Sequence, residues 1–168
     1  MATVPPFSDL IAATANSAVH MEMRDAYTPG YQQFLDWKAG KEIPEPALPD
    51  WYDLVRTHTG RGVRFRRVRV VSEPVTDFIR FEYETTAGLN IAAGEDVRWL
   101  PRRLASDLCL PGNDYWVFDD QRVRFGYFSG DGDVLGHELS DDAAVVKMCA
   151  ASFEAAWSRA IPHAGYRP

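Results

Sequence analysis

Residues 64–103 read RFRRVRVVSEPVTDFIRFEYETTAGLNIAAGEDVRWLPRR, and the rest of the fold is organised around this stretch. Its first part is rich in β-branched residues, which pack well on a pleated surface, so residues 63–71 predict a strand. The alternation of apolar and charged residues breaks at Arg66 and Arg67. A β-bulge at these two residues is therefore expected.

The middle of the stretch fits two kinds of secondary structure. Residues 79–83 alternate as a half-buried strand does, but the apolar positions of the longer run also fit a helical stripe. The length of the run and Gly94 as its end signal favour a helix over residues 74–93, with a strand as the alternative. Residues 96–100 alternate again and predict a second strand.

Charged side chains gather at the junctions of these predicted elements. Such junctions often bind ligands, because rigid elements present side chains beside open backbone. Arginines would hold an anionic group there, and carboxylates would orient the arginines. This reasoning predicts a ligand-binding cluster of Arg69, Glu73, Arg80, Glu82, Glu95 and Arg98. The alternative is a set of structural ion pairs on solvated faces.

The flanking sequence supplies further helices and strands. Short helices are predicted over 7–19 and 31–39 and from Asp50 onward, and an exposed strand over 20–25. Residues 115–118 and 122–128 form the clearest hairpin, which 134–139 extends into a meander, and a C-terminal helix is predicted over 140–161. We therefore expect an α+β fold, a single domain over 1–168 with a mostly antiparallel sheet packed by N-terminal, central and C-terminal helices. Residues 1–6 and 163–168 are expected to be loose.

Composition excludes several classes of protein. With 168 residues, 46% of them hydrophobic and 25% charged, the chain has the composition of a globular domain. A formal net charge of -6 disfavours direct nucleic-acid binding and attachment to an anionic membrane. The arginines of 56–69 are expected to face the acidic residues of 114–142 or an acidic protein partner instead. Neither a signal peptide nor a long apolar run is apparent, so a cytoplasmic location is expected.

Common catalytic and cofactor motifs are missing from the sequence. There is no glycine-rich phosphate loop, no His-Glu-x-x-His, no Cys-x-x-Cys and no Gly-x-Ser-x-Gly, and the four histidines are scattered. No cofactor and no metal site are expected. Cys109 and Cys149 lie among apolar residues and are expected to be reduced, buried thiols.

Four segments resemble a known family. They are HMEMRDAY (20–27), RVRVVSEPVTDFIRFE (67–82), AAGEDVRWLPR (92–102) and DYWVFDD (114–120). Together they resemble an actinobacterial family classed as domain of unknown function 6879, over nearly the whole chain. Members of that family are often encoded beside helix-turn-helix regulators. The resemblance therefore implies an accessory role in transcriptional or developmental control, and it supplies no catalytic residues.

Two functions follow as expectations. The first is a cytoplasmic binding protein that recognises a regulator protein or a small anionic ligand through the arginine and glutamate cluster. The alternative is an enzyme of unfamiliar type, a hydrolase or group transferase that uses Glu82 or Glu73 with Arg69, Arg80 and Arg98 on an anionic substrate. An enzyme would hold a buried carboxylate with a raised pKa in a concave pocket, whereas a flat, solvated cluster would favour the binding protein.

Overall fold

A seven-stranded mixed sheet forms the centre of the structure, a computed structural model that describes residues 4–168. The strands are β1 (Ser17–Glu22), β2 (Arg64–Val71), β3 (Glu95–Pro101), β4 (Tyr115–Phe118), β5 (Arg122–Phe128), β6 (Val134–Ser140) and β7 (Ile161–Pro162). They lie in the order β6-β5-β4-β1-β2-β3-β7. The pairs β1–β2 and β2–β3 are parallel, and the other four pairs are antiparallel. The mostly antiparallel α+β domain predicted from the sequence is confirmed.

Five α-helices cover the two faces of the sheet. They are α1 (Phe7–Ala13), α2 (Gln32–Lys38), α3 (Pro49–Gly60), α4 (Asp77–Thr86) and α5 (Ala143–Arg159). Helix α5 packs its buried residues, among them Cys149 and Phe153, against Val68, Val70 and Tyr115 on one face. On the opposite face, α1 and α3 contribute Ile11 and Val55 to a second apolar cluster. Among residues 4–168, no helix combines the length and the apolar character that a bilayer crossing requires.

The central ambiguous segment is helical, as predicted. Helix α4 begins at Asp77, after an N-cap in which Thr76 Oγ1 accepts a hydrogen bond from the Ile79 N–H at 3.2 Å. It continues as a π-helix over Ala87–Ile91. Gly94 follows with φ of +100°, a conformation that favours glycine. The helix therefore starts three residues later than the predicted Pro74, and it includes all of residues 79–83.

The strand predicted over 20–25 is shifted and is not exposed. Strand β1 runs from Ser17 to Glu22 at the centre of the sheet, between β2 and β4. Apolar and polar residues alternate along β1 because the strand has an apolar environment on one face and a polar one on the other, both covered by helices. Met21 faces the α5 side, while His20 and Glu22 face a polar site covered by the other helices. Because β1 begins at Ser17, the first helix ends at Ala13 and does not reach residue 19, where the sequence predicted its end.

Strand β2 contains no bulge at the predicted place. Its register with β1 and β3 runs without a break from Arg64 to Val71. An unbroken register keeps Arg67 and Arg69 on one face and sends Arg66 to the other. The arginines of β2 are therefore divided between the two faces of the sheet.

The C-terminal residues pack against the body of the domain. Residues 163–168 were expected to be loose, but Tyr166 is buried and stacks on Trp99 with ring centroids 5.4 Å apart. The Tyr166 carbonyl also accepts a hydrogen bond from the Tyr83 hydroxyl at 3.0 Å. Of the N-terminal residues expected to be loose, 1–3 lie outside the described residues, and 4–6 precede α1 without regular structure.

Candidate ligand pocket

The strand register places a row of polar and aromatic side chains across one face of the sheet. Arg124 on β5 pairs with Trp116 on β4, Trp116 pairs with His20 on β1, and His20 pairs with Arg67 on β2. Two residues further along these strands, Glu22 of β1 pairs with Arg69 of β2 on the same face. Side chains directly opposite each other on neighbouring strands are within contact distance, so segments far apart in sequence form one continuous floor.

A pocket of about 290 Å³ lies above this floor. Its walls come from the helices and connections that cover this face: Phe7 of α1, Trp51 of α3, Phe78, Phe81 and Glu82 of α4, Asn90 of the π-helix, and Tyr31, Ala47 and Leu48. The pocket therefore combines charged groups on the sheet with aromatic and apolar groups on the helices. That combination is typical of sites for small molecules.

A buried ion-pair network joins the two arginines of the floor to carboxylates. Arg67 Nε donates to Glu95 Oε1 at 2.7 Å, and its Nη1 donates to Glu22. Arg69 Nε donates to Glu22 Oε2 at 2.6 Å, and its Nη2 lies 3.5 Å from Glu82 Oε1. These partners come from β1, β3 and α4. The acidic residues of 114–142, expected from the sequence to face the arginines, do not supply them.

Two further contacts hold this network in place. Asn90 Nδ2 donates to Glu95 Oε2 at 2.5 Å, and Arg69 Nη1 donates to Thr86 Oγ1 at 2.6 Å. Because Thr86 and Asn90 both lie at the end of α4 and its π-helical extension, the helix is fixed to the sheet through polar contacts. Paired groups in a buried polar network favour one geometry for the side chains that they join.

Arg124 differs from the other two arginines of the floor. Its guanidinium lies 5.2 Å from the centroid of the Phe7 ring, and no carboxylate within residues 4–168 lies within 4 Å of it. Partial burial lowers the pKa of Arg124 from its ordinary value. A partly desolvated cation without a carboxylate partner is stabilised by a bound anion.

Aromatic rings border the arginines of the floor. Arg67 Cζ is 5.5 Å from the ring centroids of both Trp51 and Trp116. His20 stacks on Trp116, with centroids 4.1 Å apart and an angle of 15° between the planes. Cation–π contacts and stacking of this kind fix the planes of the side chains.

The titratable groups of the pocket are shifted in opposite directions. Burial raises the pKa of Glu82 to about 7, although Arg69 acts against this shift. Burial would also raise the pKa of Glu22, but Arg67 and Arg69 more than offset it and hold that pKa well below its ordinary value. Burial, together with Arg67, lowers the pKa of His20 well below 6.5. Near neutral pH the pocket thus holds an ionised Glu22, a neutral His20 and a Glu82 that can gain or lose a proton.

Several buried polar atoms of the pocket have no hydrogen-bond partner. Seven such side-chain atoms occur in residues 4–168, and five of them belong to residues that line this one pocket. They are His20 Nδ1, Trp51 Nε1, Glu82 Oε2, Asn90 Oδ1 and Arg124 Nε. Because buried polar groups in native proteins are nearly always paired, their concentration here indicates groups that await a ligand or solvent.

The structure brings together three of the six residues that the sequence placed in a ligand-binding cluster. Arg69 and Glu82 line the pocket, and Glu95 lies beneath it against Arg67. Glu73 and Arg80 are exposed. Arg98 is on the opposite face of the sheet, 4.0 Å from the centroid of the Trp157 ring. Trp99 lies on the same face as Arg69, whose Cζ is 5.1 Å from the centroid of the Trp99 ring. Neighbouring residues in a strand point to opposite faces, so Arg98 faces away from the pocket.

Sequence reasoning missed the other polar members of the site. These are His20, Glu22, Arg67, Asn90 and Arg124, together with the aromatic residues Trp51 and Trp116. The sequence did contain a signal for some of these residues. His20 and Glu22 are two residues apart in one strand, as are Arg67 and Arg69 in another, and side chains with this spacing share a face of the sheet. No pattern within one segment connects them to β5 or α3.

Several solved structures share this fold, among them NucT and TrmBL2. NucT from Helicobacter pylori is 11% identical, with a TM-score of 0.56, and the match covers 95% of this chain and 87% of that one. TrmBL2, described as an archaeal chromatin protein with a novel mode of DNA binding, is 11% identical, with a TM-score of 0.50. The match to TrmBL2 covers 91% of this chain and 47% of that one, so this chain spans about half of TrmBL2.

The comparison corrects one expectation about partners. Net charge led us to disfavour direct nucleic-acid binding, but a protein described by its mode of DNA binding matches the fold of nearly the whole chain. Net charge describes the average surface, whereas binding depends on local groups, and Arg124 is a local cation without a carboxylate partner in residues 4–168. The prediction that direct nucleic-acid binding is disfavoured was therefore wrong.

Sequence comparison connects the chain to one family. No curated protein matches the chain. The profile of the family described as a domain of unknown function (DUF6879) matches residues 5–168, which include every strand and helix of the fold. The protein therefore belongs to the DUF6879 family.

Proposed function

We propose that the pocket binds one nucleoside phosphate unit, either as a free nucleotide or as an unpaired nucleotide of a strand. The observation that carries the proposal is the set of five buried, unpartnered polar atoms around a single pocket. They include donors on Trp51 and Arg124 and acceptors on Glu82 and Asn90. A nucleotide carries both donors and acceptors, so it can satisfy both kinds of group.

The phosphate would lie against the arginines of the floor. Arg67 and Arg69 are held by carboxylates, whereas Arg124 has no carboxylate within 4 Å in the part of the chain described here. Guanidinium groups bind phosphate oxygens through charge-assisted hydrogen bonds, which are about twice as strong as neutral ones. Arg124 is therefore the first group expected to contact the phosphate.

The base would lie against the aromatic wall. Phe7 and Trp51 are half-buried, and both rings border the pocket beside Arg124 and Arg67. Aromatic side chains bind unpaired bases by stacking, which contributes about 1–3 kcal/mol per base. A phosphate-binding group next to such a wall matches the two chemical parts of a nucleotide.

The size of the pocket limits how much ligand it can hold. Its volume of about 290 Å³ is at the lower end of the range of small-molecule pockets, about 300–1,000 Å³. This volume suits a single nucleotide unit rather than a duplex. A strand would therefore bind through an end or through one unstacked nucleotide.

Isothermal titration calorimetry with separate arms tests the proposal. The ligands are the four ribonucleoside monophosphates, a nucleoside alone, inorganic phosphate, a single-stranded oligonucleotide and a duplex. We expect a nucleotide to bind at least about tenfold more tightly than either of its parts, because the charged and stacking contacts add. The monophosphate and single-strand arms distinguish a free nucleotide from an unpaired one.

Matched variants connect binding to the pocket. Arg124→Gln removes the cation without a carboxylate partner, and Arg122→Gln removes an exposed cation on the same strand and the same face. Arg124→Gln should weaken binding about tenfold or more, and Arg122→Gln should leave it unchanged. The proposal fails if no nucleotide or strand binds, or if both variants bind like the parent protein.

The wider setting stays an expectation. The cytoplasmic location comes from the sequence, and the actinobacterial origin and the neighbouring helix-turn-helix regulators come from the family resemblance. A nucleotide-binding pocket is compatible with a cytoplasmic protein that is encoded beside a transcriptional regulator. The calorimetric titrations test the pocket without assuming either.

A further inference from the structure

We infer that the pocket hydrolyses a phosphodiester, with Glu82 donating a proton to the leaving oxygen and His20 accepting a proton from the attacking water. This inference rests on the proposed function, because the same pocket must first hold the phosphate. It assigns an activity to two side chains that nucleotide binding alone does not require.

Glu82 has the geometry of a proton donor. Its Oε1 is 3.5 Å from Arg69 Nη2, while its Oε2 is buried at the pocket and has no hydrogen bond. The unpaired carboxyl oxygen of a residue that lines the cavity is the atom on which a proton can reside. Burial raises the pKa of Glu82 to about 7, so a large share of the molecules carry that proton at neutral pH.

His20 has the geometry of a proton acceptor. Its Nδ1 is 3.4 Å from Glu22 Oε1, and stacking on Trp116 fixes the plane of its ring. At that distance Nδ1 makes no hydrogen bond, so it is the nitrogen available to accept a proton. The neighbouring Glu22 would stabilise the imidazolium that forms when His20 takes a proton, the usual role of a carboxylate behind a histidine base.

Glu22 and Arg69 place the two groups within one site. Glu22 contacts His20 on one side and Arg69 on the other, and Arg69 reaches Glu82. His20 and Glu82 are therefore separated by a rigid ion pair, one on the floor and one on the wall of the same pocket. General acid and base groups on opposite sides of a bound phosphate are what hydrolysis needs.

The charge of the site matches that of a phosphodiester. The arginines Arg67, Arg69 and Arg124 face two ion-paired carboxylates, Glu22 and Glu95, which leaves one positive charge when Glu82 carries its proton. A phosphodiester has a single negative charge and matches this balance.

The step balances without a further reactant besides water. The oxygen of water forms a bond to phosphorus while the bond from phosphorus to the leaving oxygen breaks. One proton of the water moves to His20, and the proton of Glu82 moves to the leaving oxygen. The products are an alcohol and a phosphomonoester, and proton exchange with solvent restores both side chains. The arginines would stabilise the charge on the phosphate oxygens in the transition state.

Two substrates with different leaving groups test the inference. The dinucleotide TpT releases a nucleoside alkoxide that needs a proton, whereas the p-nitrophenyl ester of thymidine 5′-phosphate releases a stable phenolate. We expect Glu82→Gln to slow cleavage of the dinucleotide about 100-fold or more and that of the aryl ester far less. His20→Asn should slow both substrates, because both need an activated water.

Controls separate failure of the inference from failure of binding. Glu154→Gln alters an exposed carboxylate that pairs with Arg66 outside the pocket, and it should cleave both substrates like the parent protein. Calorimetry with thymidine monophosphate on every variant reports binding without turnover, and a melting curve reports folding. Binding of the nucleotide with no cleavage of either substrate overturns the inference and leaves the proposed function intact. Equal slowing of both substrates by Glu82→Gln overturns the role of Glu82 as the acid.

Discussion

Arg69 Nη2 lies 3.5 Å from Glu82 Oε1, and this contact joins the central sheet to helix α4 at the wall of the pocket. The second oxygen of Glu82 has no partner, so the arginine only partly compensates for the burial of the carboxylate. This relationship leaves Glu82 poised between its two protonation states, while Glu22 on the other side of Arg69 is held ionised.

Glu82 makes stability depend on pH in a defined direction. Its pKa is about 7 in the folded protein and 4.5 ordinarily, so the folded state binds more protons between these values. The contribution of Glu82 to stability is therefore present below pH 4.5 and is lost as the pH rises towards about 7. Each pKa unit corresponds to about 1.4 kcal/mol, so the whole effect is on the order of 3 kcal/mol.

Denaturant unfolding of the parent protein and of Glu82→Gln at several pH values measures this effect. The glutamine cannot ionise, so the variant should gain stability relative to the parent between pH 4.5 and pH 8. A difference in the free energy of unfolding that is constant over this range would contradict the raised pKa.

Removal of Glu95 should destabilise the fold strongly. Its side chain is fully buried and accepts hydrogen bonds from Arg67 and Asn90. Glu95→Ala leaves a buried guanidinium without one of its partners, so we expect a loss of about 3–5 kcal/mol in the free energy of unfolding. Glu154→Ala breaks an exposed pair with Arg66 and should change it by less than about 1 kcal/mol. Equal losses in the two variants, measured by denaturant unfolding, would show that the buried network is not important for stability.

Arg124 is expected to contribute to binding rather than to stability. It is partly buried and has no carboxylate within 4 Å in residues 4–168, and burial lowers its pKa. Arg124→Met keeps the apolar stem and removes the desolvated charge, so the melting temperature should stay the same or rise. A clear fall in the melting temperature, greater than that of Arg122→Met, would show that the guanidinium stabilises the fold in the absence of a ligand.

The two thiols should react at very different rates. The sequence predicts that both are buried, but only Cys149 is, and Cys109 is exposed. Burial raises the pKa of Cys149 to about 11, which lowers its thiolate fraction at neutral pH. Ellman's reagent should therefore label one thiol quickly in the native protein and the second only on unfolding. Rapid labelling of the native Cys109→Ser variant would contradict this arrangement.

The secondary structure was predictable where a local pattern was strong. The hairpin of β4 and β5, the following strand β6 and helix α5 were predicted close to their observed bounds, because alternation and helical spacing act over a few residues. The position of β1 was not predictable in this way. Both faces of β1 are covered in the fold. The alternation of polar and apolar residues could not distinguish a polar face that lines a pocket from one exposed to solvent.

Half of the predicted cluster lies at the site because Arg69, Glu82 and Glu95 happen to face one side of the sheet. Arg98 shares their region of the sequence, but it occupies the opposite strand face and stacks on Trp157. Proximity in sequence therefore indicated the region of the site, and the pleat of the strand decided which side chains reach it.

The amino-acid sequence by itself determined the class of fold, the family and the concentration of charged residues in 64–103, since these depend on local spacing and composition. The tertiary structure alone decided that β1 lies between β2 and β4, which brings His20, Arg67, Trp116 and Arg124 into one row. Strand order is set by the packing of both faces of the sheet at once, and no single segment contains that information. The pocket is a consequence of this order.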